Sequence, residues 1–333
     1  MKNNFKILIL FFLVPVFVFV SLRIGYSSVN SMELVQILFG KGSDSQNLVV
    51  FTLRMPRIII GALVGIGFAV SGTIIQSITK NPLADPGILG INAGASFVVV
   101  LFTTLQTSII SFHSIFLMPF MAAIGGAFIG VIIYILSTDK IRGLNPTRLI
   151  LNGIALQSGI NGIMMTLILM LDSDQFDFIT QFQSGSIWSA NWQQIYILLP
   201  WILILLLITY TRTKELDLLT LREEVIVGVG VNSKKEKKIL LALAIFFAGG
   251  SVAFGGSISF VGLISPHIAR RIVGPRHKYL IIASGLMGAL LMIVADTIAR
   301  KIIEPSQLPT RLVVAIIGAP YFIYLFLREN KRK

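Results

Sequence analysis

Cysteine is absent from the 333 residues, which removes disulfides, thiolate metal sites and cysteine nucleophiles at once. Charge is scarce as well. Asp, Glu, Lys and Arg make up 13% of the chain, against roughly 25% in an average soluble domain. A water-exposed surface of ordinary composition cannot be drawn around such a sequence, so a two-domain soluble enzyme is excluded. Histidine occurs only as His113, His267 and His277, and no two have the four-residue spacing of a helical zinc site. No glycine-rich loop ends in Gly-Lys-Ser/Thr, which excludes ATP binding of the P-loop kind. The nearest approach to a nucleophile elbow, Gln183-Ser184-Gly185-Ser186-Ile187, lacks the second glycine. No two carboxylates pair within an apolar run, which leaves no acid cluster for a membrane-embedded hydrolase. A non-catalytic chain without cofactor or bound metal is the expectation.

What is present is apolar. Hydrophobic residues make up 55% of the chain and the mean hydropathy is +0.84. A spanning helix needs about 20 mostly apolar residues, and about ten runs approach that pattern. They cover residues 7–22, 58–77, 88–105, 115–136, 148–171, 193–210, 239–253, 258–268, 279–298 and 312–327. The sequence therefore predicts an all-α, polytopic membrane protein. Lys2 and Lys6 precede the first run, but Arg23-Ile24-Gly25-Tyr26 follows it instead of a small-x-small cleavage site; it reads as a retained first helix. Asp85-Pro86-Gly87 and Ser265-Pro266-His267 predict two broken helices, tolerated in a membrane only where protein or water satisfies the freed backbone. Gly61, Gly65 and Ala69, and again Ala122, Gly126 and Gly130, recur every four residues and allow helix backbones to approach closely.

Lys and Arg number 28 against 15 acids, a net charge of +13. Their placement points to a membrane and not to nucleic acid. With the N-terminus inside, most basic residues fall on the cytoplasmic side, as the positive-inside rule requires. They include Lys140, Arg142 and Arg148, the 212–238 segment, Arg270, Arg271, Arg276, Lys278 and the tail Lys331-Arg332-Lys333. The opposite loop carries Asp172, Asp174 and Asp177 with no base. Both termini are thus expected in the cytoplasm.

Three features stand out. Asp296 is the one carboxylate inside a predicted span; such a group needs a partner, and Arg300 lies one helical turn away. A proton-relay role is the alternative. Arg54 and Arg57 flank Pro56 where a helix enters the membrane, and Arg300 closes another at the same face. Snorkelling to headgroups and docking of an acidic partner both fit them. Residues 216–238 read as one charged amphipathic segment: Arg222-Glu223-Glu224, Gly228, Gly230, then Lys234-Lys235-Glu236-Lys237-Lys238. It fits either a helix on anionic lipid or an element gripped by a cytoplasmic motor.

Two ordered blocks bear a family likeness. Arg54-Met-Pro-Arg57, Gly61, and the stretch from Ala69 through Gln76, Asn81-Pro-Leu-Ala-Asp-Pro-Gly87 and Gly90-Ile-Asn-Ala-Gly-Ala95 form the first. Gly255-Gly-Ser-Ile-Ser-Phe-Val-Gly-Leu-Ile-Ser-Pro-His-Ile-Ala-Arg270, Ala295-Asp296 with Arg300, and Gly318-Ala-Pro-Tyr-Phe322 form the second. Together they resemble the FecCD family, membrane subunits of ABC importers for iron–siderophore complexes, heme and vitamin B12. The resemblance implies a single ten-helix permease domain over residues 1–333, of the type II ABC importer fold, in the bacterial cytoplasmic membrane. It also implies a second permease, identical or paralogous, two cytoplasmic ATP-binding subunits and an extracytoplasmic solute-binding protein. Arg54, Arg57 and Arg300 match the arginines that meet glutamates of the binding protein. Arg222, Glu223, Glu224, Gly228 and Gly230 fall in the coupling loop, about residues 213–238. Asn152, Gln157 and Asn161 become pathway candidates; their spacing puts the last two on one helix face and Asn152 off it. Departures are Gln307-Leu-Pro-Thr-Arg311, where the family usually has Glu-Leu-Pro-Val/Ile-Gly, and the absence of a proline after His277-Lys-Tyr-Leu. The competing classes are an ion-driven secondary transporter, which needs a midplane site with an intramembrane acid, and a non-transporting scaffold.

Overall fold

The computed structural model describes residues 2–25, 30–87, 90–104, 114–139, 143–185, 187, 190–303 and 307–330. His113, Lys140, Arg142, Ser186 and the Lys331–Lys333 tail lie outside the described residues, as does the side chain of Asp174. In chain order the helices are α1 (Lys2–Arg23), α2 (Ser31–Leu38), α3 (Asp44–Asn47), a π-helical turn (Leu48–Arg54), α4 (Met55–Thr79), α5 (Ile91–Thr104), α6 (Ser114–Ser137) and α7 (Pro146–Ile168). They continue as α8 (Ser173–Gln183), α9 (Trp192–Thr211), α10 (Thr213–Leu219), α11 (Glu223–Gly228), α12 (Ser233–Gly255), α13 (Val261–Val273), α14 (His277–Lys301) and α15 (Thr310–Asn330). A two-residue hairpin pairs Thr138–Asp139 with Gly143–Leu144. Among the described residues seven helices are long and apolar enough to cross a bilayer; α5 and α13 are shorter, and each of the ten apolar runs overlaps one of the helices α1, α4–α7, α9 and α12–α15.

Helix α4 is the axis of the bundle. It is buried over nearly its whole length and packs on α14, α12, α13 and α9, while α1 lies along α14 and α7 lies against α5 and α6. Small residues permit this. A Cβ on Gly65 would come 2.2 Å from the Gly288 carbonyl oxygen, and one on Gly72 would come 1.9 Å from that of Gly262. Backbones this close exclude any side chain between them and replace the hydrophobic drive that lipid does not supply.

The second helix break differs from the sequence reading. Ser265-Pro266-His267 lies inside α13, and the chain breaks earlier, over residues 256–260. Gly256 (φ 70°) and Phe260 (φ 70°) both take left-handed backbone there, a conformation that ends a helix. Pro266 has no N–H to offer the Gly262 carbonyl one turn before it. Gln76 of α4 supplies the missing donor, Nε2 to Gly262 O at 3.2 Å, so the proline becomes a point of attachment and not a break.

Two further elements depart from expectation. The acidic stretch taken as a loop contains α8, whose N-cap Asp172 accepts the Gln175 N–H at 2.9 Å. The 216–238 segment is not one helix but α10, α11 and the opening turns of α12, which begins at Ser233 with Asn232 accepting the Lys235 N–H at 3.0 Å. Lys234 to Lys238 therefore belong to a helix end. Large apolar side chains stand exposed on α1 (Phe5, Phe11, Phe12), α6 (Phe128, Ile135), α7 (Leu151, Met165) and α9 (Leu207), surfaces that only lipid or another chain would cover.

Candidate functional site

Three polar zones interrupt this apolar body. At one end, Asp296 of α14 is 1% exposed and holds two arginines: Arg57 Nε donates to Oδ1 at 2.8 Å and Arg300 Nε to Oδ2 at 3.0 Å. Thr310 Oγ1 adds a third donor at 3.2 Å. Arg300 also reaches α1, donating to Ser21 Oγ at 2.7 Å and Ile24 O at 2.9 Å. Arg54 donates to Leu22 O at 2.7 Å. Arg57 Nη1 donates to the Gln307 side-chain oxygen. Its Nη2 is buried with no hydrogen-bond partner among the described residues.

The local backbone explains how two arginines of one helix turn inward together. Pro56 cannot donate, so the ladder widens before it: Met55 N–H bonds to Val50 O, five residues back. Such π turns reset which side chains face the interior. All three arginines are 6–7% exposed, so they are not splayed on an open surface. They lock α1, α4, α14 and the start of α15 together, and two guanidiniums on one carboxylate, with Arg54 hydrogen-bonded to α1 beside them, leave an excess of positive charge beneath that face.

A second polar zone is a cavity of about 390 Å³ between α5, α7, the end of α8, the 256–260 break and α15. Gln157 and Asn161 line it with Ser96, Gln183, Ser257 and Arg311. Asn152 does not: its amide donates to Ser137 Oγ at 3.0 Å, joining α7 to α6. The face offset read from spacing has this consequence. Sequence reasoning did not single out Ser96, Gln183 or Ser257, because nothing local marks a serine in an apolar run as cavity-facing.

The third zone is at the opposite end, where the N-terminus also sits: Asn3 Nδ2 donates to Val273 O at 2.9 Å. Here Arg222, Glu223, Glu224, Gly228 and Gly230 are exposed, around a buried anchor, Ile226. Gly230 has φ +82° and Gly228 and Gly230 have no neighbours within 4 Å of a would-be Cβ. Leu221, Val225, Val227 and Val229 stand exposed among these charges. Lys237 Nζ pairs with Glu223 Oε2 at 3.0 Å, and Arg212 with Glu236 at 3.2 Å.

One constellation was not foreseen. Asp217 of α10 accepts both the His277 backbone N–H at 2.9 Å and faces its Nδ1 at 2.6 Å, while His277 Nε2 contacts Ser77 Oγ of α4 at 2.6 Å. Helix α14 has no cap from its own N-cap residue. Asp217 supplies one from another element, and its charge suits a helix N-terminus. The short inner helices are thereby tied to α4 and α14. Asp217→Ala is expected to cost about 1–2 kcal/mol at this junction. Amide hydrogen exchange over residues 213–228 should then rise by roughly tenfold, measured by mass spectrometry on the purified chain; exchange at the wild-type rate would show that the junction does not hold the segment.

A helical bundle with seven helices among the described residues long and apolar enough to cross a bilayer, and with a polar cavity between its helices, has the build of a multi-pass membrane protein. Its fold matches a solved structure described as an inward-facing conformation of a metal-chelate type ABC transporter, with TM-score 0.82 and 28% identity over 97% of this chain and 98% of that one. The chain belongs to the FecCD transport family, whose model matches residues 12–328. Among relatives, it is 43% identical to the iron(3+)-hydroxamate import system permease protein FhuG of Bacillus subtilis, over 99% of both chains. It is 38% identical to the iron-uptake system permease protein FeuC of the same organism, over 96% of both.

Proposed function

We propose that this chain is the membrane-spanning subunit of an ATP-driven importer that carries a ferric siderophore, of the hydroxamate class, across the bacterial cytoplasmic membrane. The identity of 43% to a ferric-hydroxamate permease over essentially the full length of both chains carries this reading. The chain forms one membrane domain and works with a second permease, a copy of itself or a paralogue. Both termini face the cytoplasm, as the distribution of basic residues suggests.

The end bearing α10 and α11 meets two ATP-binding subunits. Its exposed Val225, Val227 and Val229 beside Arg222, Glu223 and Glu224 give the mixed apolar and charged surface that a protein partner covers, and Asp217–His277 carries its displacement into α14. The opposite end meets a solute-binding protein. The excess of positive charge from Arg54, Arg57 and Arg300, of which Asp296 offsets one, favours an acidic docking surface there. The chain contributes no catalytic group; it offers different contacts to outward- and inward-open states, and nucleotide binding in the partners shifts their populations.

Uptake of radio-iron carried by hydroxamate, catecholate, citrate and heme ligands, in a strain deleted for this gene, tests the proposal. Loss of ferric-hydroxamate uptake, restored by the wild-type gene and insensitive to collapse of the proton gradient when ATP is maintained, is the expected outcome. Unchanged hydroxamate uptake in the deletion strain refutes the substrate, and ionophore-sensitive transport by the chain alone refutes the ATP-driven mechanism. In the same assay Gly230→Val forces a branched side chain into left-handed backbone. It should lower uptake several-fold while the chain still reaches the membrane; normal uptake would remove this turn from the coupling role.

A further inference from the structure

Among the described residues, Arg311 is the only charged side chain that lines the cavity between α5, α7 and α15. A cation in the first turn of a helix opposes the helix dipole, yet the fold is built to keep it there. Its backbone N–H donates to Gly185 O at 3.3 Å, and its Nη1 donates to Gln183 O at 3.1 Å. Gly185 adopts φ +68°, and a Cβ there would come 2.7 Å from Arg311 Cβ. The end of α8 therefore makes room for an arginine and aims it. A rule of local structure broken and compensated in this way marks a functional position.

The rest of the lining has matching character. Ser96 Oγ, on a residue 3% exposed, has no hydrogen-bond partner among the described residues. Among the described residues the Gln183 amide finds only the Met164 sulfur, at 3.9 Å, a contact far weaker than a normal hydrogen bond. Gln157, Asn161 and Ser257 add further polar groups, and among the described residues no Asp or Glu lines the cavity. The volume, about 390 Å³, falls in the range of small-molecule sites. A surface of donors with one fixed positive charge recognises a ligand with an oxygen-rich face and no net positive charge.

We propose that Arg311 is a specificity-determining residue of this cavity, selecting neutral or anionic oxygen-ligated ferric chelates over cationic ones. The inference rests on the translocation role proposed above and names the ligand class within it. One guanidinium among neutral amides and hydroxyls discriminates by charge without binding so tightly that release stalls.

The test uses the complete transporter, with its binding protein and ATP-binding subunits, in cells deleted for the wild-type gene. The probes are one ferric trihydroxamate bearing a free terminal amine and its succinylated derivative, which differ in charge but not in iron coordination. The wild-type chain should favour the succinylated form. Arg311→Gln should shift the uptake ratio toward the amine form by roughly tenfold, and Arg311→Lys should keep the wild-type preference. Since the binding protein is the same in every arm, a changed ratio reports on the permease. A ratio unaltered in Arg311→Gln, with the wild type carrying both probes, overturns the inference alone. Transport of neither probe by the wild type overturns the hydroxamate-importer reading instead. Were Arg311→Gln to accumulate poorly, the ratio measured in Gly185→Ala, which pushes Arg311 from its place, gives the same decision.

Discussion

An Asp296→Ala chain is expected to lose about 3–5 kcal/mol of stability, the penalty for removing one partner of a buried ion pair. Such a loss is comparable to the whole stability of many domains, so the variant should be nearly absent from membranes and should melt far below the wild type in detergent. The reason is arithmetic of charge. Asp296 is 1% exposed and is the carboxylate paired with both Arg57 and Arg300. Without it, two enclosed guanidiniums face each other and the nearby Arg54. Thr310 also loses its acceptor, which loosens the start of α15 from α14. Asp296→Asn keeps an oxygen acceptor but not the charge and should fall between the two. A melting temperature unchanged in Asp296→Ala would mean that the cluster does not hold the helices. Normal stability in Asp296→Asn with a shifted pH profile of uptake would point to proton-coupled transport.

Gly72→Leu should be as damaging by a different mechanism. The added Cβ alone would lie 1.9 Å from the Gly262 carbonyl oxygen, less than any real contact, and both atoms belong to backbone. Helices α4 and α13 must separate, and separation breaks the Gln76 bond that replaces the donor missing at Pro266. A destabilisation of about 3 kcal/mol or more is expected, at or above the upper range for overpacking. Gly159→Leu on α7 provides the control, since nothing lies within 4 Å of its would-be Cβ; its melting temperature should stay close to that of the wild type. Equal melting of the two variants would refute the close approach of α4 and α13.

These effects divide according to what the chain reveals locally. Long apolar runs are continuous in sequence, and each of the ten led to a helix. The four-residue spacing of Gly61, Gly65 and Ala69 was visible too, although its partner Gly288 was not. Helices α2, α3 and α8 carried readable starts that hydropathy overlooked: Asn30 with Glu33, Ser43 with Gln46, and Asp172 ahead of Gln175. Capping is a matter of three or four residues, and attention to it finds short polar helices that apolar periodicity cannot. The position of the second break misled because proline is a strong local signal, whereas the left-handed backbone at Phe260 has none.

The sequence by itself determined the solvent of this protein, its helical class and its family, since hydropathy, charge placement and ordered motifs are properties of neighbouring residues. Tertiary structure alone decided which distant groups meet. Arg57 and Asp296 stand 239 positions apart, and His277 and Ser77 stand 200 apart. Arginine at a helix end reads the same whether it turns to headgroups or to a buried acid, because the choice depends on how helices cross. The same holds for the cavity: whether Ser96 faces lipid, a neighbouring helix or a polar chamber follows from the packing of α5 against α7, which no stretch of α5 encodes.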